Sequence, residues 1–174
     1  AVEYKLTSSK SRVDFLVYGD NENNIGNLVV VELKQWSSVK ESNMPNYVMA
    51  CVAAGDTTDH WHPSCQAFNY ANLLREFNEY VYKNNVPLES CSFCHNMTQA
   101  YSFLMKNEHL FPLIKSSPAF LKGDEKALAD FIQRNVKKPH KDLLYLIDNS
   151  RIRPSEEFAS LFVNAMKGKE FETY

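Results

Sequence analysis

Two apolar runs of strand length lie close together near the start of the chain, Val13 to Tyr18 and Leu28 to Gln35. Between them, Gly19-Asp20-Asn21-Glu22-Asn23-Asn24 is a strong turn signal, because these residue types tolerate the backbone angles a reversal needs. The second run is continuous and rich in valine, which predicts a strand at the sheet centre, covered on both faces. Val2 to Leu6 reads as an earlier strand and Thr7 to Ser11 as a polar connection. Ser37 to Asn46 is polar and predicts a loop, and Tyr47 to Ala54 predicts a fourth strand.

Helical periodicity begins after His62-Pro63-Ser64, with proline in the first turn, and predicts a helix reaching about Tyr82. Gln66, Tyr70, Leu73 and Phe77 share one face, and Ala67, Ala71 and Leu74 form an adjoining apolar stripe. Leu88 to His95 alternates as a strand. Gly123-Asp124 is placed to cap a helix from Glu125 to Val136, whose core face is Leu128, Phe131 and Ile132. Leu143 to Ile147 is apolar but too short to assign to helix or strand. Pro154 to Met166 predicts a last helix, ended by Gly168. Strands gather early and helices late, the pattern of a mixed α/β sandwich.

The 174 residues suffice for a real hydrophobic core, and 44% apolar with 23% charged residues is ordinary for a globular protein. A formal charge of −2 gives no whole-chain signature of nucleic-acid binding, so any such role must rely on local patches and metal ions. No stretch approaches the roughly 20 apolar residues that span a bilayer. Ala1 to Arg12 lacks the apolar segment of a signal peptide. The four cysteines, Cys51, Cys65, Cys91 and Cys94, are too few for a disulfide scaffold, and reduced thiols in a cytoplasmic protein without membrane partners are expected. Because the chain opens directly on a strand, it reads as a fragment of something longer.

Chemistry concentrates on the two early strands. Glu32 and Lys34 are two apart, so they face the same way while Leu33 faces the opposite layer. Asp14 lies across the hairpin. Cleaving a phosphodiester needs an activated water and positive charge on the phosphoryl oxygens, and Mg²⁺ or Mn²⁺ is held for that purpose by carboxylate oxygens. Asp14 and Glu32 are candidate metal ligands, the Leu33 carbonyl a third, and Lys34 the amine that orients water. Gln66 and Tyr70 put an amide and a phenol one helical turn apart, where both can hydrogen-bond phosphate or a catalytic side chain. Against this stands the plainer reading of a surface salt bridge and a core tyrosine.

Acid in one strand, acid-x-Lys in the next and Gln-x-x-x-Tyr on a following helix resembles the PD-(D/E)xK nuclease superfamily in its RecB-like branch, with Val13 where the name-giving pattern has proline. More closely, Arg12-Val13-Asp14-Phe15-Leu16, Val31-Glu32-Leu33-Lys34-Gln35-Trp36, His62-Pro63-Ser64-Cys65-Gln66-Ala67, Cys94-His95-Asn96, Phe120-Leu121-Lys122-Gly123-Asp124 and Ser150-Arg151-Ile152-Arg153-Pro154-Ser155 resemble the amino-terminal nuclease-like domain of bacterial Schlafen group 3-like DNA/RNA helicases. The resemblance implies an α/β, restriction-endonuclease-like fold with a central mixed β-sheet flanked by helices. It implies one nuclease-like domain over residues 1–174, followed in the longer protein by a P-loop ATPase/helicase domain in cis. It also implies Mg²⁺- or Mn²⁺-dependent cleavage of nucleic acid, DNA ahead of RNA. Asp14, Glu32, Lys34, Gln66 and Tyr70 would be the catalytic set. No P-loop motif occurs in this chain, so no ATPase activity belongs to it.

Other constellations carry less. His62 and Ser64, at the amino end of the helix, are candidate phosphate contacts, with a capping role as the alternative for His62. Trp36 is placed to stack a base or to close the core. Cys91-x-x-Cys94-His95 has the spacing of a c-type haem attachment or half a zinc site, but strand alternation sends neighbouring ligands to opposite faces, and core cysteines are expected. Lys137, Lys138, His140 and Lys141 form one basic cluster, and Arg151 and Arg153 another. The rival functions are a nucleic-acid-binding module without activity and a protein-interaction domain.

Overall fold

The structure is a computed structural model and describes residues 1–6, 12–53 and 56–166. Five strands form the main sheet: β1 (Val2–Lys5), β2 (Arg12–Asp20), β3 (Gly26–Lys34), β7 (Leu88–Cys94) and β8 (Ala119–Leu121), in the order β1-β2-β3-β7-β8. The pairs β1–β2 and β2–β3 are antiparallel, while β3–β7 and β7–β8 are parallel, so the sheet is mixed. A second, antiparallel sheet of β4 (Val39–Glu41), β5 (Tyr47–Ala53) and β6 (Asp56–Trp61) follows β3 in sequence. It is succeeded by helices α1 (Pro63–Phe77) and α2 (Glu79–Lys83), which complete the crossover a parallel β3–β7 pair requires. Helices α3 (Ser102–Met105), α4 (Glu125–Asn135), α5 (Leu143–Asp148) and α6 (Glu156–Met166) complete the order.

β3 is central, as its composition predicts: Leu28, Val29, Val30 and Val31 are all buried. Leu28 and Val30 face Ala67, Ala71 and Leu74 of α1, with Leu143 and Ile147 of α5. Val29 and Val31 face the other way, onto Phe131 of α4, with Leu128 and Ile132 beside it. Helices therefore flank both faces of a central mixed sheet. A third apolar cluster, including Trp36, Val48, Met97 and Phe111, joins the small sheet to the segment after β7.

Several boundaries differ from the sequence expectation, each for a local reason. The helix expected to run to Tyr82 breaks at Asn78, which is extended (φ −89°, ψ 112°) and ends α1 while starting α2. Its buried side chain accepts the Val81 N–H at 3.2 Å and donates to the Ile147 carbonyl at 2.9 Å, bonds that replace one helical turn. The polar segment 37–46 contains β4. β6 was not expected at all, because Asp56-Thr57-Thr58-Asp59-His60-Trp61 lacks an apolar alternation; it is the outer strand of a small sheet. Asp124 holds the N-cap position of α4 as expected, but its side chain makes no cap bond: its carboxylate accepts the Leu121 N–H at 2.8 Å and pairs with Lys106 at 2.7 Å. The short run at Leu143 is helical. α6 starts at Glu156, where the Ser155 hydroxyl accepts the Phe158 N–H at 3.1 Å. Ala54 and Gly168, expected to end a strand and a helix, lie outside the described residues, as do Thr7 to Ser11. No helix among the described residues is long and apolar enough to cross a membrane.

Candidate active site

The carboxyl end of β3 carries the acid and the amine on one face. Lys34 Nζ donates to Glu32 Oε1 at 2.7 Å. Parallel pairing sets Glu32 level with Ser92 and Lys34 level with Cys94 on β7. The Ser92 hydroxyl meets that of Ser64 at 2.9 Å, so the first turn of α1 rests against the same row. Glu32 is only 2% exposed, and its second oxygen, Oε2, is buried without a hydrogen-bond partner among the described residues. Burial raises the Glu32 carboxyl to about 7; Lys34 pulls it back down and Asp14 pushes it further up. An acid displaced this far is a feature of functional sites as well as of structural ion pairs.

Continued from the Leu16–Val30 pair, strand alternation sets Asp14 on the Glu32 face, and β2 becomes irregular at that point. Val13 and Leu16, three positions apart, both face the α1 core, and the β2–β3 ladder ends at the Phe15–Val31 pair. On the adjoining strand, Glu3 is level with Asp14 and adopts a left-handed backbone (φ 48°), so the irregularity crosses both strands. Where the ladder stops, Asp14 Oδ2 accepts the Leu33 N–H at 2.7 Å. In an extended strand the N–H and C=O of one residue point to the same edge, so the Leu33 carbonyl also faces Asp14.

Asp14, Glu32 and the Leu33 carbonyl would together supply an all-oxygen donor set, the kind that suits a hard divalent cation. The orphaned Glu32 Oε2 fits such an ion, since a buried carboxylate oxygen otherwise lacks compensation. No group of three or more His, Cys, Asp or Glu side chains among the described residues is placed to hold a metal, so this set depends on the main-chain oxygen.

Gln66 and Tyr70 bond to each other, Gln66 Nε2 donating to the Tyr70 hydroxyl at 2.9 Å. Tyr70 packs against the α1 core, and neither side chain hydrogen-bonds to Asp14, Glu32 or Lys34.

Three expected substrate contacts are corrected. His62 is fully buried, its Nδ1 accepting the Ser64 N–H at 3.2 Å, its Nε2 3.1 Å from the Met105 carbonyl, and its ring 4.3 Å from that of Phe111. It caps α1, and burial lowers its pKa to about 4, which keeps it neutral. Ser64 is also fully buried and serves the Ser92 contact. Trp36 lies in the core, only 6% exposed, so it offers no face to a base; its ring centroid is 5.4 Å from Lys34 Nζ, a cation–π support for the ammonium.

Two neighbours were not singled out by the sequence. Ser92 lies inside the Cys91-x-x-Cys94-His95 spacing, which points to its neighbours and not to the serine. His60, on β6, has its ring 5.2 Å from Trp36 and its Nε2 2.8 Å from the Thr58 hydroxyl. Cys91 and Cys94 do face opposite ways, Cys91 toward α4 and Cys94 toward the Trp36 cluster. Burial pushes both thiols up to about 12, so neither offers a ready thiolate. The basic cluster around Lys138 joins β2 at Asp20, the end of the strand away from Asp14, and His140 pairs with Asp20 at 2.6 Å. Arg153 pairs with Glu79.

No family model matches the chain, and no curated protein or solved structure matches it either.

Proposed function

We propose that the chain is a metal-dependent nuclease domain of PD-(D/E)xK type, with a restriction-endonuclease-like fold, that hydrolyses phosphodiester bonds of nucleic acid, DNA ahead of RNA. The observation that carries this reading is the buried, unpartnered oxygen of Glu32 beside Asp14 and Lys34. A structural salt bridge has no use for a second acid that makes the first harder to ionise. A cation site does.

Asp14, Glu32 and the Leu33 carbonyl would hold Mg²⁺ or Mn²⁺, which when bound supplies Lewis-acid polarisation of the phosphoryl group and a more acidic water. The remaining work belongs to the protein. Lys34 is fixed at two points, the Glu32 carboxylate and the Trp36 ring, so its ammonium is held in place and has donors to spare. It can hold a water in line with phosphorus and offset charge on the phosphoryl oxygens. Glu32 orients the Lys34 amine by accepting its hydrogen bond. Gln66 and Tyr70 have hydrogen-bonding capacity beyond their mutual bond and lie on the helix that covers this face of the sheet, where they would steady the substrate. A following ATPase/helicase domain in cis is part of the same proposal.

Incubation of the purified chain with plasmid and single-stranded DNA tests the proposal. Cleavage with Mn²⁺ that chelator stops and Lys34→Ala abolishes supports it. Binding of DNA without cleavage by any divalent ion would leave the binding-module reading in its place.

A further inference from the structure

On the other side of the first turn of α1 lies a concavity of about 440 Å³, whose lining carries no formal charge. β6 divides the two regions by alternation: His60 faces Trp36 behind Lys34, whereas Trp61 opens onto this pocket. Of the two tryptophans in the chain, Trp61 is the exposed one, at 41%. Tyr47 meets it edge-on, with centroids 6.2 Å apart and planes at 83°, and so buttresses the indole. Phe68 adds a further aromatic wall, and three amides, Asn46, Asn69 and Asn72, complete the rim.

Each amide has capacity to spare. Asn46 accepts only the weak thiol bond of Cys65 at 3.8 Å, and Asn72 accepts from Arg75. Asn69 is exposed and makes no side-chain hydrogen bond among the described residues. A pocket of this kind rejects phosphate, which needs positive charge, and suits a flat, neutral ring with donors and acceptors at its edge. We infer that this pocket stacks one nucleobase of a single-stranded nucleic acid on Trp61 and reads its edge with the three asparagines.

The inference rests on the nuclease reading for its biological sense, and the position agrees with it. Cys65 lines the pocket, while its neighbour Ser64 contacts Ser92, level with Glu32. Across one strand spacing and the first helical turn, pocket and site are on the order of 10 to 15 Å apart. One chain of a few nucleotides can occupy both.

The test is tryptophan fluorescence of the full chain, titrated in chelator with oligothymidylate, with oligouridylate of equal length and with an abasic oligodeoxynucleotide of equal charge. The base-bearing strands are expected to quench emission and the abasic strand to leave it unchanged; the two base-bearing arms show whether DNA or RNA is preferred. Trp61→Ala is expected to weaken binding of the base-bearing strands, followed by anisotropy of a labelled end, about tenfold without affecting the abasic strand. Asn69→Ala, at an exposed position, should weaken it less while keeping the quench. Equal binding of base-bearing and abasic strands, or wild-type affinity in Trp61→Ala, would overturn the inference. If wild-type chain cleaves with Mn²⁺ while Trp61→Ala binds normally, the pocket fails and the nuclease stands. If Trp61-dependent binding is found but no divalent ion gives cleavage, the pocket stands and the nuclease fails.

Discussion

The carboxylate of Asp14 takes the N–H of Leu33 at 2.7 Å, a bond that a main-chain carbonyl would make in an unbroken ladder. The side chain thus seals the point where β2 and β3 part company, and it is held beside Glu32 by main-chain geometry rather than by a flexible contact. Asp14→Asn retains an acceptor for Leu33 but loses the charge. It is expected to keep the fold and wild-type thermal stability in chelator while losing the added stability Mn²⁺ gives. Differential scanning fluorimetry with and without Mn²⁺ checks this.

Metal affinity is expected to be steeply dependent on pH. Glu32 must be ionised to bind a cation, and its carboxyl titrates near 7 in the metal-free protein. Mn²⁺ binding followed by calorimetry should therefore tighten between pH 6 and pH 8, with proton release at the lower pH. An affinity independent of pH across that range would mean that Glu32 is no ligand.

Two buried groups oppose one another in the stability of the metal-free protein. Glu32 is raised from 4.5 to about 7, so its contribution is complete below 4.5 and lost as pH rises through 7. His62 is lowered from 6.5 to about 4, so its contribution is present above 6.5 and lost as pH falls through 4. Each spans on the order of 3 kcal/mol, with opposite sign over the shared window. Relative to wild type, Glu32→Gln should gain urea resistance as pH rises from 5 to 8. His62→Gln, which keeps a polar group near the cap, should lose least against wild type at acid pH.

Gly19 is hemmed in by the backbone of the segment after α4: an added Cβ would lie 2.4 Å from the Lys138 carbonyl oxygen and 2.7 Å from a Val136 methyl. Main-chain hydrogen bonds between Asp20 and Lys138 hold that approach. Gly19→Ala is expected to destabilise the fold by about 1 to 3 kcal/mol, as overpacking does, read from the urea midpoint. Lys34 lies at the other end of the sheet, so the cleavage activity of the folded fraction should be retained.

The sheet centre was legible because Leu28 to Val31 can only be covered on both sides, and the α1 stripe of Ala67, Ala71 and Leu74 because helical spacing leaves one small-residue face. The pairing of Glu32 with Lys34 follows from alternation alone. The bond from the Leu33 N–H to Asp14 does not, since it depends on the β2–β3 ladder ending at Phe15, which no residue type announces. For His62 the sequence left substrate contact and capping both open, and for Trp36 base stacking and core closure, for a related reason. A sequence gives their chemistry but not their depth, and Met105, Phe111 and His60, which cover them, come from distant segments. β6 was missed because a polar outer strand has no apolar rhythm to betray it.

Ser64 and Ser92 meet through single hydroxyl groups, and that small size governs how near α1 can come to the strand beside Glu32. Bulkier residues at either position would lift the helix and let water reach the Glu32 carboxyl. The acid would then ionise like any surface glutamate, and the drive to recruit a cation would fade. The acidity of Glu32 is thus tuned by the narrowness of a seam between two elements, at two buried serines.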